Sequence, residues 1–187
     1  DKAESRGLGD VYKRQIATYA KKIIESGAKV TVISSDKDLM QLVSTKIRLF
    51  DPMKSKVIGE KEVFEKFGVK PNQVIDVQSL AGDSSDNIPG VPGIGVKTAA
   101  ELINKYKNLD TLLKKSFEIK QNKRRETLIA NKDKALLSKQ LVTLKDDVPI
   151  KNNPSEFLIK KINKDKLYNF LREMEFHRLL SLSLIHI

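Results

Sequence analysis

Asp83 and Asp86 stand three residues apart in the polar turn Gly82-Asp83-Ser84-Ser85-Asp86-Asn87. Carboxylates are hard oxygen ligands for divalent cations. Immediately downstream runs Ile88-Pro89-Gly90-Val91-Pro92-Gly93-Ile94-Gly95-Val96-Lys97-Thr98-Ala99. This is a Gly-rich turn opening into a helix, and helix N-termini attract phosphate. A second acidic pair, Asp36 and Asp38, follows the carboxyl end of a predicted strand, where open α/β sheets place their ligands. Each pair has a plainer reading. Asp36 can cap the next turn with Asp38 favouring its dipole, and Asp, Ser and Asn make turns by bonding their own backbone. Together the pairs imply more. Two acidic loops from separate segments, the second with no Lys or His of its own, can converge on cations about 4 Å apart, as phosphodiester chemistry requires.

The glycines could form only an αα-hairpin turn. However, Gly93-Ile94-Gly95-Val96-Lys97-Thr98-Ala99 has the pattern of a helix-hairpin-helix, whose backbone N–H groups meet a DNA phosphate without reading bases. Gly90, Gly93, Ile94, Gly95, Lys97 and Thr98 are the candidate DNA contacts. The stretch is not a phosphate-cradling P-loop, because Val96 separates Gly95 from Lys97. Lys123, Arg124, Arg125, Lys132, Lys134 and Lys139 decorate one predicted helix, as a DNA-facing or simply solvated surface. His177 and His186 lack metal-ligand spacing, and no Ser–His–Asp or Cys–His arrangement can be assembled.

The elements that must carry these residues alternate early and become helical later. Helices are predicted over 16–26 (stopped by Gly27), 39–43, 60–67 (ending at Gly68) and 72–81. Strands are predicted over 29–34 and 46–50, closed by Asp51-Pro52. The alternation implies a partial parallel α/β layer. Beyond residue 80 helices follow at 96–106, 109–115, 123–141 and 164–176. In the last, Leu167, Phe170, Leu171 and Met174 form an apolar stripe expected to be core.

The 187 residues suffice for one core or two small lobes. Mean hydropathy is −0.37 and no apolar run nears the ~20 residues of a membrane span. No secretory h-region is seen, and the absence of cysteine excludes disulfides and thiolate metal sites. The net charge is +11, and residues 97–172 carry 19 basic against 9 acidic side chains. That fits either nucleic-acid binding or a Lys-rich solvated surface.

Residues 16 to about 180 resemble the 5′ nuclease domain of bacterial DNA polymerase I, within the flap endonuclease superfamily. The resemblance is carried by Ser35-Asp36-Lys37-Asp38-Leu39, Asp51-Pro52-Met53-Lys54, the stretch from Gly82 to Ala99, and Glu175-Phe176. It implies a truncated PIN-like α/β core (residues 16–80) and a helical lobe with a helix-hairpin-helix of the H3TH type (81–180). It implies a 5′→3′ exonuclease and 5′-flap endonuclease of DNA replication and repair, cytoplasmic and nucleoid-associated, sometimes joined to a polymerase domain. Its partner would be duplex DNA with a 5′ end or flap, with no membrane. Asp36, Asp38, Asp83 and Asp86 would surround Mg²⁺ or Mn²⁺, with Asp36, Asp38 and Asp86 catalytic and K⁺ held at the Gly turn. Residues 1–15 and 181–187 do not resemble the family, read as adapter-like, and are set aside from the fold expectation. The family's Glu-x-Asp-Asp cluster is absent ahead of Ile16, so weak or no catalysis and an exposed sheet edge are expected. A non-catalytic helix-hairpin-helix DNA-binding module is the alternative.

Overall fold

The structure, a computed structural model, describes residues 2–159 and 161–185. His186 lies outside them. Two compact units divide at Lys151.

In the first unit, α1 (Lys2–Glu25) is followed by β1 (Val30–Ile33), a 3-10 turn (Lys37–Leu42), β2 (Ile47–Asp51), β3 (Lys56–Ile58) and α2 (Glu60–Phe67). Residues 2–15, set aside above, are helical and continuous with Ile16 to Glu25. Gly27 takes φ +88° and its N–H closes on the Ile24 carbonyl, the stop expected of it. The sheet order is β1-β2-β3. β1 and β2 are parallel, pairing Val30 with Ile47 through Ile33 with Phe50, whereas β3 runs antiparallel to β2. The sheet is therefore mixed rather than purely parallel. Buried Asp51 makes the reversal: its Oδ1 accepts the N–H groups of Met53 and Lys54, turning the chain so that Lys56 meets Asp51. β3 has three residues, too few for alternation to mark it.

α2 ends at Gly68, in the left-handed region at φ +71°. A 3-10 turn over Pro71–Gln73 leads into α3 (Val74–Ala81), α4 (Val96–Tyr106), α5 (Leu109–Lys114), α6 (Asn122–Ala130) and α7 (Lys132–Val142). The single helix expected over 123–141 is two. At the break Asn131 leaves helical geometry, at φ −114° and ψ 23°, and the Thr127 carbonyl accepts both its backbone N–H and its side-chain amide. Leu39 and Leu49 from the sheet side, Val63 from α2, Val77 and Leu80 from α3, and Ile103 from α4 are all fully buried in one core. α3 is the pillar of this core, and its C-terminus delivers the Gly82 loop.

α3 also carries a buried charge. Asp76, 7% exposed, meets Lys139 of α7 at 3.4 Å, and Lys139 meets Asp110 at 2.8 Å. Lys139 is thus structural here rather than part of a free basic face. Burial pushes the Asp76 carboxyl up against the opposing pull of Lys139. Lys139→Met is expected to cost roughly 2 kcal/mol at neutral pH, below the value for a fully buried pair because Lys139 is partly exposed. A raised carboxyl loses its stability contribution as pH rises through its folded pKa. The deficit should therefore shrink on acidification, as Asp76 protonates. Urea midpoints at pH 4.5 and 7.5 check this, and an equal deficit at both would refute it.

The second unit contains α8 (Lys164–Glu173) and α9 (His177–Ile185). Phe170 and Phe176 meet edge to face at 6.3 Å. The stripe expected to be core is only partly so: Leu171 is buried, but Phe170 and Met174 keep about half their surface. Among the described residues no helix is long and apolar enough to cross a membrane.

Candidate metal centre and DNA-facing turn

The 3-10 turn after β1 places the first acidic pair. Asp36 caps it, accepting the Asp38 N–H at 3.0 Å, and Asp38 turns into the protein at 8% exposure. The Gly82 loop places the second pair. Asp83 and Ile88 exchange both backbone hydrogen bonds, at 3.0 and 2.8 Å. This pins the six residues between and including them into a closed turn. Asp83 Oδ1 accepts the Ser85 N–H and hydroxyl, and Asp86 remains exposed at the tip.

Gly82 and Gly90 close the neck of that loop. Gly90 has φ +60°, is buried, and donates its N–H to Ser138 Oγ at 3.0 Å. A Cβ on Gly82 would lie 2.7 Å from the Ile88 carbonyl oxygen, and one on Gly90 would run into the Gly82 nitrogen. Gly90 therefore differs from the DNA contact expected of it. Its side is filled by backbone and its donor is used inside the fold.

The two loops converge. Asp38, Asp83 and Asp86 each offer an oxygen within 4.8 Å of the others. Asp36 does not join this trio; its Oδ2 faces Lys13 at 3.0 Å and accepts from Tyr12 at 3.3 Å. Lys13 also reaches Asp38 Oδ2 at 2.7 Å. The segment set aside in the sequence reading thus supplies a cation to the first acidic pair. The second pair has one too, from the other loop: Lys37 bridges to Asp83, contrary to an unneutralised turn, and donates to Ser85 at 3.2 Å.

The electrostatics follow from these neighbours. Burial raises the Asp38 carboxyl, but the Lys13 hydrogen bond and charge outweigh it and hold Asp38 below the ordinary range. Asp83 is likewise opposed by burial and lowered on balance by Lys37 and Ser85. Asp86 goes the other way: burial, then the hydrogen bond and charge of Asp38, push it up. A raised carboxyl against two others marks surplus negative charge, which a divalent cation neutralises. Gln78 of α3, 4% exposed, donates to Asp38 Oδ1 at 3.1 Å, and its Oε1 is buried without a partner. The donor set, all oxygen, suits a hard cation. The residues present therefore fit one divalent ion at Asp38, Asp83 and Asp86, with Asp36 and Asp38 also engaged by an ammonium. Lys13, Lys37 and Gln78 were not found from sequence as site residues. Their contacts span 25, 46 and 40 residues, beyond any local pattern.

The Gly turn lies after the neck. Ile94 is buried, and its N–H donates to Val91 at 3.1 Å. Gly93 (φ +75°), Gly95 and Lys97 are exposed and Thr98 half-exposed. Gly95 is the N-cap of α4 and brings no side chain to its first-turn N–H groups. A cavity of about 330 Å³ beside the turn is lined by Gly93, Ile94, Lys123, Arg124 and Thr127.

Two family models cover most of the described chain. The 5′-3′ exonuclease N-terminal resolvase-like domain matches residues 15–68, and the 5′-3′ exonuclease C-terminal SAM fold matches 69–165. The chain belongs to the 5′-3′ exonuclease family. It is 53% identical over 161 residues to DNA polymerase I of Rhizobium leguminosarum, covering 86% of this chain and 16% of that one. It is 39% identical to a 5′-3′ exonuclease of Aquifex aeolicus, covering 88% of this chain and 56% of the relative. The chain thus spans about half of that exonuclease and a small part of the polymerase. Among solved structures, a phage T5 5′-exonuclease with divalent zinc bound aligns at 27% identity and TM-score 0.66, over 71% of this chain and 49% of that one. The catalytic core of Rad2, solved with DNA substrate, shares the fold at TM-score 0.57, 19% identity, over 90% of this chain and 60% of that one.

Proposed function

We propose that the chain is the metal-binding and DNA-binding part of a 5′→3′ DNA exonuclease and 5′-flap endonuclease that hydrolyses phosphodiester bonds. The observation that carries this reading is the convergence of Asp38, Asp83 and Asp86 within 4.8 Å beside a Gly turn that opens a helix. Asp38, Asp83 and Asp86 hold Mg²⁺ or Mn²⁺, Asp36 supports them from the cap of its turn, and Asp36, Asp38 and Asp86 are the catalytic carboxylates. Bound there, the cation supplies Lewis-acid polarisation of a phosphodiester and neutralises charge that develops on it. Gln78 holds Asp38 in place, and Lys37 orients Asp83. Gly93, Gly95, Lys97 and Thr98, with Ile94 as the buried anchor and Gly90 as the neck, grip one strand through phosphate contacts that read no base. K⁺ at the Gly turn belongs to the same reading, as do an α/β part over 16–80 and a DNA-binding lobe over 81–180.

A second reading, DNA binding without catalysis, draws on one observation: Lys13 already places an ammonium between Asp36 and Asp38. The two are separated by titrating the chain into a labelled 5′-flap duplex in K⁺ and in an organic cation of equal strength, then adding Mg²⁺ or Mn²⁺. Salt-sensitive binding with metal-dependent 5′ cleavage, abolished by Asp86→Asn, supports the nuclease. Binding weakened by Lys97→Met with no cleavage supports the module. No binding at any salt rejects both.

A further inference from the structure

A cavity of about 460 Å³ opens beside Asp83, between α2 and the Gly82 loop; Lys37, Lys66, Gln78, Asp83, Ser84 and Pro89 are among its lining residues. Lys66 comes from the last turn of α2. Three other charges of that helix have partners: Glu65 meets Lys56 and Lys61, and Glu62 accepts the Gly59 N–H. Among the described residues Lys66 has no salt bridge, and its ammonium stands 5.6 Å from the Phe67 ring centroid. Partial desolvation of its ammonium, then repulsion from Lys37 and Lys54, lowers its pKa, with Asp38 and Asp36 opposing. The acid on the cavity wall, Asp83, is taken by Lys37. A helix dipole explains a lysine in a last turn. It does not explain cations gathered on a cavity whose acid is already paired.

We propose that this cavity is a subsite for one phosphate of the DNA strand, next to the phosphate at the carboxylate cluster, with Lys66 as its principal cation. Asp83 belongs to both places, lining the cavity and completing the trio. An anion in the cavity therefore shares the Asp83 wall with the cation site. Lys66 is a phosphate point contact, and Lys37 shares the charge without leaving Asp83. The inference rests on the DNA reading above.

The test is binding of the full chain to a fluorescent 5′-flap duplex in EDTA, from 50 to 200 mM salt, for wild type, Lys66→Met, Lys66→Arg and Lys97→Met. Loss of one phosphate contact lowers the salt slope by about 0.9 and weakens binding about five- to tenfold at 0.1 M salt. Lys66→Met should show both, and Lys66→Arg should restore them. Lys66 is exposed, and circular dichroism checks that each variant is folded. If Lys66→Met keeps the wild-type affinity and slope while Lys97→Met loses them, the subsite is wrong and the DNA reading stands. A weaker Lys66→Met with an unchanged slope, not restored by arginine, also overturns the subsite. Absence of DNA binding by the wild type removes both.

Discussion

Gly90→Ala is expected to destabilise the first unit by about 3 kcal/mol, the sum of a left-handed backbone forced on an L-residue and an overpacked contact. Gly90 sits at φ +60°, and its added Cβ would meet the backbone of Ala81 and Gly82 rather than a side chain able to move aside. Gly93→Ala is the control. It shares the positive φ, at +75°, but has open space around the added carbon, so about 1 kcal/mol is expected from the backbone alone. Urea unfolding of both variants separates packing from φ. Equal losses would show that the close approach of Gly82 and Gly90 contributes nothing. The consequence reaches the site, because this neck draws together the ends of the loop bearing Asp83 and Asp86. Cation affinity should fall in Gly90→Ala under conditions where the chain is still folded.

Lys13→Met carries the second large effect. Its ammonium lies 2.7 and 3.0 Å from Asp38 and Asp36, with the lysine side chain 15% exposed. Opposite charges this close and this poorly hydrated interact more strongly than a surface pair. A divalent ion at Asp38 competes with that ammonium for the same carboxylate. Removing it should tighten Mn²⁺ binding about tenfold, or ~1.4 kcal/mol, measured by calorimetry. The metal-free variant should melt lower than the wild type, because Asp38 is left beside Asp86 without its ammonium. Added Mn²⁺ should therefore raise the melting temperature of the variant more than that of the wild type. Unchanged or weaker Mn²⁺ binding would show that Lys13 does not compete for the site.

What was legible in the sequence had local causes. α2 and α4 occupy the expected residues, 60–67 and 96–106, and glycine marks three of their four boundaries: Gly59 and Gly68 around α2, Gly95 before α4. β1 was marked by a short β-branched run and β2 by a short segment closed at Asp51-Pro52, signals that need only neighbouring residues to be recognised. The candidate carboxylates were visible as spacing within two loops. The misplaced elements were those in which a neighbour decides. β3 exists because Asp51 turns the chain back onto β2. The helix after residue 122 divides at Asn131, whose side-chain amide bonds back to the Thr127 carbonyl beside its own backbone N–H. Half of the α8 stripe stays exposed although its pattern is amphipathic.

The sequence by itself determined which residue types stand at which spacing: two acidic loops, a Gly turn opening a helix, and a basic segment downstream. Backbone capping, turn propensity and periodicity act over a few residues, and a linear string records them. Only the tertiary structure decided which carboxylates meet and what charge they meet. α3 carries the Gly82 loop to the end of β1, so Asp83 and Asp86 join Asp38 while Asp36 turns to Lys13. It also decided that Gly90 is a packing residue and that Lys66 faces a cavity. Each of those outcomes depends on the distance between atoms tens of residues apart in the chain. That distance is set by how the core packs, and no short stretch of sequence contains it.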